Sequence, residues 1–185
     1  MTTWFSADFH LGHANIIKYC NRPFATAGEM DEVILGNLEA RVDDGDTLYF
    51  LGDLTFSSQL AEIFFERFKN IEIHFIIGNH DNKGVIKLAR EHCKSVSPLM
   101  DICIEDTPIT LCHYAMRVWD KSHFNAWQLY GHSHGTLPPV GKQIDVGVDN
   151  FDFFPVSHAG LAELMASRPD NTNYIPPELR DRSKE

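Results

Sequence analysis

The sequence predicts a mixed α/β domain, and three observations carry the prediction. Short β-branched and aromatic runs alternate with segments of helical periodicity through the first half of the chain; residues 96–114 read as antiparallel strands with no helix between them; and polar residues gather where the strand patterns stop. A length of 185 residues, with 43% hydrophobic and 11% aromatic content, suits one domain with a sizeable core.

In chain order, "TTWFSAD" reads as a first strand. Thr26 and Glu29 then form a T-x-x-E capping box ahead of Met30, Val33, Ile34 and Leu38, which share one helical face, with Asn37 placed inward beside them. "TLYFLGD" is a second strand, and residues 58–68 repeat the helical pattern through Leu60, Ile63, Phe64 and Phe68. "IEIHFIIGNHD" is a third strand and "NKGVIKLAREH" a third helix. "DICIED", "PITLCHY" and "WQLYGHSH" have strand character, and "SHAGLAELMA" reads as the last helix. The expected domain covers residues 1–167. Residues 168–185, polar, charged and proline-bearing, read as a mobile tail unless Tyr174 and Ile175 dock on a partner.

The formal charge of −10 repels a nucleic-acid backbone at long range and argues against a broad DNA- or RNA-gripping surface. It leaves room for a local cationic site, since bound metal ions are often the largest local charges a site contains. No apolar run approaches the ~18–20 residues of a membrane span, so no membrane partner is expected. "MTTWFSADFH" lacks the basic start and apolar stretch of a signal peptide, and the expected compartment is the cytoplasm. Cys20, Cys93, Cys103 and Cys112 are scattered without C-x-x-C spacing and read as small buried hydrophobes.

The strand ends hold the functional signal. Asp8 and His10, Asp53, Asn79 and His80, His113, and His132 and His134 close five successive strand patterns. Ligands of open α/β sheets bind outside the carboxyl ends of strands, so these groups should converge on one sheet edge. Imidazoles, carboxylates and an amide oxygen form a borderline-to-hard ligand set suited to Mn, Fe, Zn, Ni or Co rather than to a calcium cage. Each residue has a plainer reading: Asp81 as a helix cap, the glycines before Asp53, Asn79 and His132 as turn formers, and His74, His92, His123 and His158 as ordinary surface or satisfied residues. Five successive strand ends weigh against coincidence, because a buried polar group left unpaired costs ~1–3 kcal/mol.

The ordered set D-x-H (Asp8, His10), G-D (Gly52, Asp53), G-N-H-D (Gly78 to Asp81), H (His113) and G-H-x-H (Gly131 to His134) resembles the calcineurin-like metallophosphoesterase superfamily, especially its small bacterial and phage-encoded single-domain members. The resemblance runs from about residue 3 to about residue 165. It implies a four-layer αββα sandwich and two divalent metal ions, manganese first among the candidates. Asp8, His10 and His134 would hold one ion; Asn79, His113 and His132 the other; Asp53 would bridge them. Ions ~3.5–4 Å apart lower the pKa of a bridging water and stabilise both oxygens of an in-line displacement. His80 is left as general acid or phosphate donor, with Asp81 as its orienter or, preferably, as a cap. "GDLTFSS" departs from the arginine-bearing G-D-x-x-D-R-G of the protein-phosphatase branch, and Asp81 stands where that branch has Glu, which favours small phosphodiesters or monoesters.

His13, Arg22 and Arg117 are candidate substrate-binding residues near these motifs, the arginines through fork contacts to phosphate oxygens. Asn15 lies in the same stretch as His13 and Arg22. Trp119 and Phe124 read first as core packing, with stacking of either on a base as the alternative, and Asn37 reads as support for the site from behind. The favoured expectation is a metal-dependent phosphoesterase with a small phosphate-ester substrate. The alternatives are a nuclease or nucleotide phosphomonoesterase on the same metals, and a metal-binding scaffold without turnover.

Overall fold

Four parallel strands, β1 (Thr3–Ser6), β2 (Thr47–Phe50), β3 (Glu72–Ile76) and β4 (Ser95–Ser97), lie side by side in the first sheet. A two-residue strand, β9 (Val156–Ser157), joins its edge antiparallel to β1. The structure, a computed structural model, describes residues 1–180. Parallel strands need long crossovers, and these carry α1 (Ala14–Tyr19), α2 (Ala27–Glu39), α3 (Ser58–Arg67) and α4 (Lys83–His92). The side-chain period of two then sorts the strands' residues. Leu48, Phe50, Ile73 and Phe75 face the helices, packing with Met30, Ile34, Phe64 and Val85. Phe5, Leu51 and Ile76 face the other way.

The helices α2, α3 and α4 begin where side-chain oxygens meet their free N–H groups, whereas α1 has no side-chain cap. Thr26 accepts from Glu29 N at 3.1 Å, and Glu29 reaches back to Ala25 N at 2.8 Å, the expected capping box displaced by one residue. Ser57 caps α3. Asn82, and not Asp81, caps α4, accepting from Gly84 N and Val85 N. Two apolar stripes are rotated from the expected ones: Val33 and Ile63 are exposed, while Leu35 and Phe65 are buried in their place. At 3.6 residues per turn, a flanking apolar residue can sit on either border of the stripe, and packing decides which. Asn37 donates to the Phe153 carbonyl at 3.0 Å and so ties α2 to the 151–154 loop rather than supporting the strand-end groups.

The second sheet runs β5 (Leu99–Ile104), β6 (Thr107–Cys112), β7 (Trp127–Tyr130), β8 (Gln143–Asp145), antiparallel between β5 and β6 and parallel thereafter. Its Ile109, Leu111, Leu129 and Ile144 meet Phe5, Leu51 and Ile76 of the first sheet, and α5 (His158–Ala166) adds Leu161 and Met165 to this cluster. Each buried side chain of this size contributes about 1.5–3 kcal/mol of transfer free energy. The outer side of the sheet carries Gln128 and Gln143, hydrogen-bonded to each other at 2.8 Å and to the 114–116 backbone. The architecture is thus α/β, two mixed sheets flanked by helices, as expected.

Residues 168–180 pack on their own chain. Asn171 is buried and donates to the carbonyls of Ser122 and Ala126, Ile175 N donates to His123 O at 2.9 Å, and the Arg180 guanidinium sits 4.6 Å from the Phe124 ring centre. A polar sequence concealed this docking because it rests on side-chain to backbone hydrogen bonds rather than apolar burial. The last part of the expected tail, residues 181–185, lies outside the described residues. Among the described residues no helix is long and apolar enough to cross a membrane. The four cysteines are free; Cys103 is exposed, contrary to expectation, because it lies on the outward face of β5, and the others are half-buried.

Candidate metal centre

Three predicted site segments follow β1, β2 and β3, and two follow β6 and β7, so the groups meet where the ends of two facing sheets come together rather than along one sheet edge. Backbone hydrogen bonds lace the segments: Asp8 N to Gly52 O at 3.0 Å, His10 N to Asp53 O at 3.0 Å, and Gly131 N to His113 O at 3.1 Å. Side-chain carboxylates complete the lacing. Asp8 Oδ2 accepts from His132 N at 2.8 Å, and Asp53 Oδ1 from His80 N at 2.8 Å. Asp8, His10, Asp53, His132 and His134 all have positive φ, between 47° and 68°. Sparsely populated conformations of this kind cost of order 1–3 kcal/mol each and cluster at functional sites. Gly52, at φ 90°, brings its backbone so close to the site that a Cβ there would lie 2.9 Å from His113 Nδ1.

Two groups of ligand-type atoms result. Asp8, His10 and His134 form one, and Asp53, His113 and His132 the other, the atoms of each within 4.8 Å of one another. One oxygen joins them: Asp53 Oδ2 lies 3.6 Å from His10 Nε2 and 3.4 Å from His113 Nε2. Asn79 Oδ1 enters the second group at 3.1 Å from His113 Nε2. All seven predicted ligands are therefore brought together.

The donor set fits metal ions. Asp8 Oδ1 and both ring nitrogens of His10 are buried without a hydrogen-bond partner. Such groups are costly in a protein interior unless something outside the polypeptide satisfies them. Burial pushes the Asp8 carboxyl up to about 7 and the His10 imidazole down to about 3, so a nearby cation favours the ionised carboxylate while His10 keeps a free lone pair. His113 donates Nδ1–H to the Leu51 carbonyl at 2.7 Å, which turns Nε2 toward the group. His134 is held through Nδ1, 2.7 Å from Asp149 Oδ2, leaving Nε2 as its remaining nitrogen. Backbone carbonyls and carboxylates in these positions are the usual orienters of metal-binding imidazoles.

His80 stands apart. Its side chain is 41% exposed, its Nε2 is 3.9 Å from Asp53 Oδ2, and its ring lies edge-on between His10 and Phe56, at 5.2 and 4.8 Å. His13 also packs edge-on against Phe56 at 5.0 Å, 5.6 Å from the His10 ring, and its Nδ1 is buried without a partner. Asp81 neither caps a helix nor touches the His80 ring. Its carboxylate accepts from the N–H groups of Gly78, Asp53 and Leu54 at 2.8–3.0 Å, pinning the two metal-motif loops to each other.

Arg22 cannot bind substrate. Its side chain is 0% exposed and all its N–H groups are committed: Nε and Nη2 to the two oxygens of Asp149 at 2.7 Å, Nη2 also to Asp8 O, and Nη1 to Phe9 O and Met30 Sδ. Arg117 is exposed and lines a cavity of about 450 Å³ with Met116, Trp119, Leu137 and Val140, whose walls include none of the seven ligands. Trp119 donates to Ala126 O, and Phe124 lies under Arg180, so neither aromatic reaches the metal groups. Sequence reasoning missed Asp149 and also Asp145, which accepts from Gly135 N and Gly147 N beside the His134 turn. Neither belongs to a local motif; only the tertiary fold brings them near.

No family model matches the chain. It is 36% identical over 168 residues to the uncharacterized protein MJ1445 of Methanocaldococcus jannaschii, covering 86% of this chain and 88% of that one. Among solved structures, the protein of unknown function AQ665 from Aquifex aeolicus has the same fold, with a TM-score of 0.69, 23% identity, and coverage of 88% of this chain and 98% of its own. A nuclease, MPE of Pseudomonas putida, aligns at a TM-score of 0.47 with 23% identity, over 71% of this chain and 61% of its own, too distant to bear on activity. The chain belongs to the family of the archaeal protein MJ1445.

Proposed function

We propose that this protein is a metal-dependent phosphoesterase of the calcineurin-like metallophosphoesterase superfamily, acting on small phosphodiesters. The observation that carries the reading is the shared position of Asp53 Oδ2, within 3.6 Å of an imidazole nitrogen from each of the two ligand groups. In this reading Asp8, His10 and His134 hold one divalent cation, Asn79, His113 and His132 a second, and Asp53 both, with manganese the first candidate. When bound, two such ions supply Lewis acidity, lowering the pKa of water and neutralising charge on a phosphoryl group.

The chain's own contribution is positioning and proton transfer. His80 is half-buried, lies beside Asp53 and is not needed as a ligand, so its imidazole is available to give a proton to the departing oxygen. Phe56 holds the His80 and His13 rings edge-on at the same exposed border. A small substrate follows from the charge of −10 and the lack of a lysine- or arginine-rich stretch. The test is a panel of aryl phosphodiesters, cyclic nucleotides, phosphomonoesters and single-stranded nucleic acid, assayed on the manganese-loaded protein. Higher kcat/KM on a small diester than on any polynucleotide is expected. A steeply salt-dependent preference for polynucleotide would move the assignment to nuclease.

A further inference from the structure

His134 is the only member of its ligand group whose second ring nitrogen meets a side chain. Asp8 is fixed by a backbone N–H and His10 makes no side-chain hydrogen bond, whereas His134 Nδ1 lies 2.7 Å from Asp149 Oδ2. Asp149 is itself clamped by a bidentate pair with Arg22, both contacts at 2.7 Å. The same guanidinium donates to the carbonyls of Asp8 and Phe9 at 2.7 and 3.0 Å, within the turn that presents Asp8 and His10. One buried cation thus touches the loop after β1 and, through one carboxylate, the loop after β7. The second ligand group has no such carboxylate among the described residues, since His113 Nδ1 meets the Leu51 carbonyl.

We infer that Arg22 and Asp149 are positioning residues for metal binding at the Asp8, His10 and His134 group. Asp149 keeps the proton on His134 Nδ1 and turns Nε2 toward the other two ligands; Arg22 holds Asp149 and the Asp8–His10 turn in one register. A planar fork is required, because a lysine ammonium in the same place cannot span both oxygens of Asp149 and still reach two backbone carbonyls. Burying an ion pair adds little to stability for its own sake, which is consistent with a role in orientation. Cys20 Sγ, His134 and Asp149 also lie within 4.8 Å of one another, but Asp149 is already committed to Arg22 and His134, and burial pushes the Cys20 thiol up to about 11, which disfavours the thiolate a metal would need.

This inference rests on the metal-site reading proposed above, and one experiment separates the two. Wild type, Asp149→Asn and Arg22→Lys are stripped of metal, checked for folding by their amide NMR spectra and titrated with Mn²⁺ alone by calorimetry. Nitrogen NMR of the stripped proteins reads the His134 ring protonation directly. Wild type should take up two equivalents. Asp149→Asn should weaken one of them by about 10–100-fold, the usual cost of losing an orienting partner, leave the other unchanged and shift the His134 Nδ1 resonance. Arg22→Lys should weaken the same equivalent and serves alone if Asp149→Asn does not fold. Two equivalents unchanged in the variants, or both weakened alike, overturns the inference while leaving the metal-site reading standing. A wild type that takes up no metal overturns both.

Discussion

His113 Nε2 lies 3.1 Å from Asn79 Oδ1, although the proton of this imidazole is already given through Nδ1 to the Leu51 carbonyl at 2.7 Å. His113 is buried and Asn79 exposed, so two acceptors face each other at the border of the second ligand group, and Asp53 Oδ2 points into the same place from 3.4 Å. A cation shared by the three atoms, a second proton on His113 or a metal ion, satisfies them together. Asp53 is also the residue nearest both ligand groups. Asp53→Asn should therefore lower the affinity of both Mn²⁺ equivalents, while His132→Ala, at the exposed border of one group, should lower one. Calorimetric titration of the two variants checks the difference.

His80 should act on the leaving group and not on metal. His80→Ala should keep both metal equivalents and lose about 10²–10⁴-fold in turnover of esters with poor alkoxide leaving groups, with a smaller loss for nitrophenolate esters. Equal losses on both substrate classes would make His80 an electrostatic partner of the phosphoryl oxygens instead. Loss of a metal equivalent would make it a ligand.

Asp81 holds three backbone N–H groups of the Asp53 and Gly78 loops. Asp81→Ala leaves these donors buried and unpaired, at about 1–3 kcal/mol for a group left unsatisfied. Urea denaturation should show that loss together with weaker metal binding. Asn82→Ala, which removes only the cap of α4, should cost about 1 kcal/mol and leave metal binding alone.

Acid sensitivity should come in part from Asp46, far from the metal groups in the chain's first layer of contacts. The Thr2 N–H, and after it Trp4 Nε1–H, donate to its carboxylate at 2.6 and 3.0 Å and hold it below the ordinary carboxylate range. A folded-state pKa below the unfolded one contributes stability that is present above the unfolded value, near 4, and is lost as pH falls through the folded value. Asp46→Ala should therefore be less stable than wild type at pH 7, with the gap narrowing toward pH 3. Denaturation midpoints at the two pH values test this.

The readable parts of the sequence were those with local causes. Alternating apolar runs mark the long strands, the Thr26 to Glu29 box marks α2, and polar residues at strand ends mark the seven clustered candidate ligands. β4, β8 and β9, of two or three residues each, are too short to carry a period and exist because neighbouring strands pair with them. Arg22 and Asp81 stand in recognisable motifs, but their roles depend on partners that only the fold supplies. An arginine near a phosphate motif reads as a substrate contact until its burial against Asp149 is known, and an aspartate before a helix reads as a cap until its three N–H partners are known. Asp149 is 127 residues from Arg22 in sequence, and no local pattern links them.

Turnover by this protein should depend on bound metal, and hydrolysis of an aryl phosphodiester by one preparation before stripping, after stripping and after reloading decides it. The stripped protein, with metal content verified by elemental analysis, should be inactive, and Mn²⁺ should restore turnover as the second equivalent binds. Undiminished hydrolysis by verified metal-free protein, or no hydrolysis with two equivalents bound, would contradict the account.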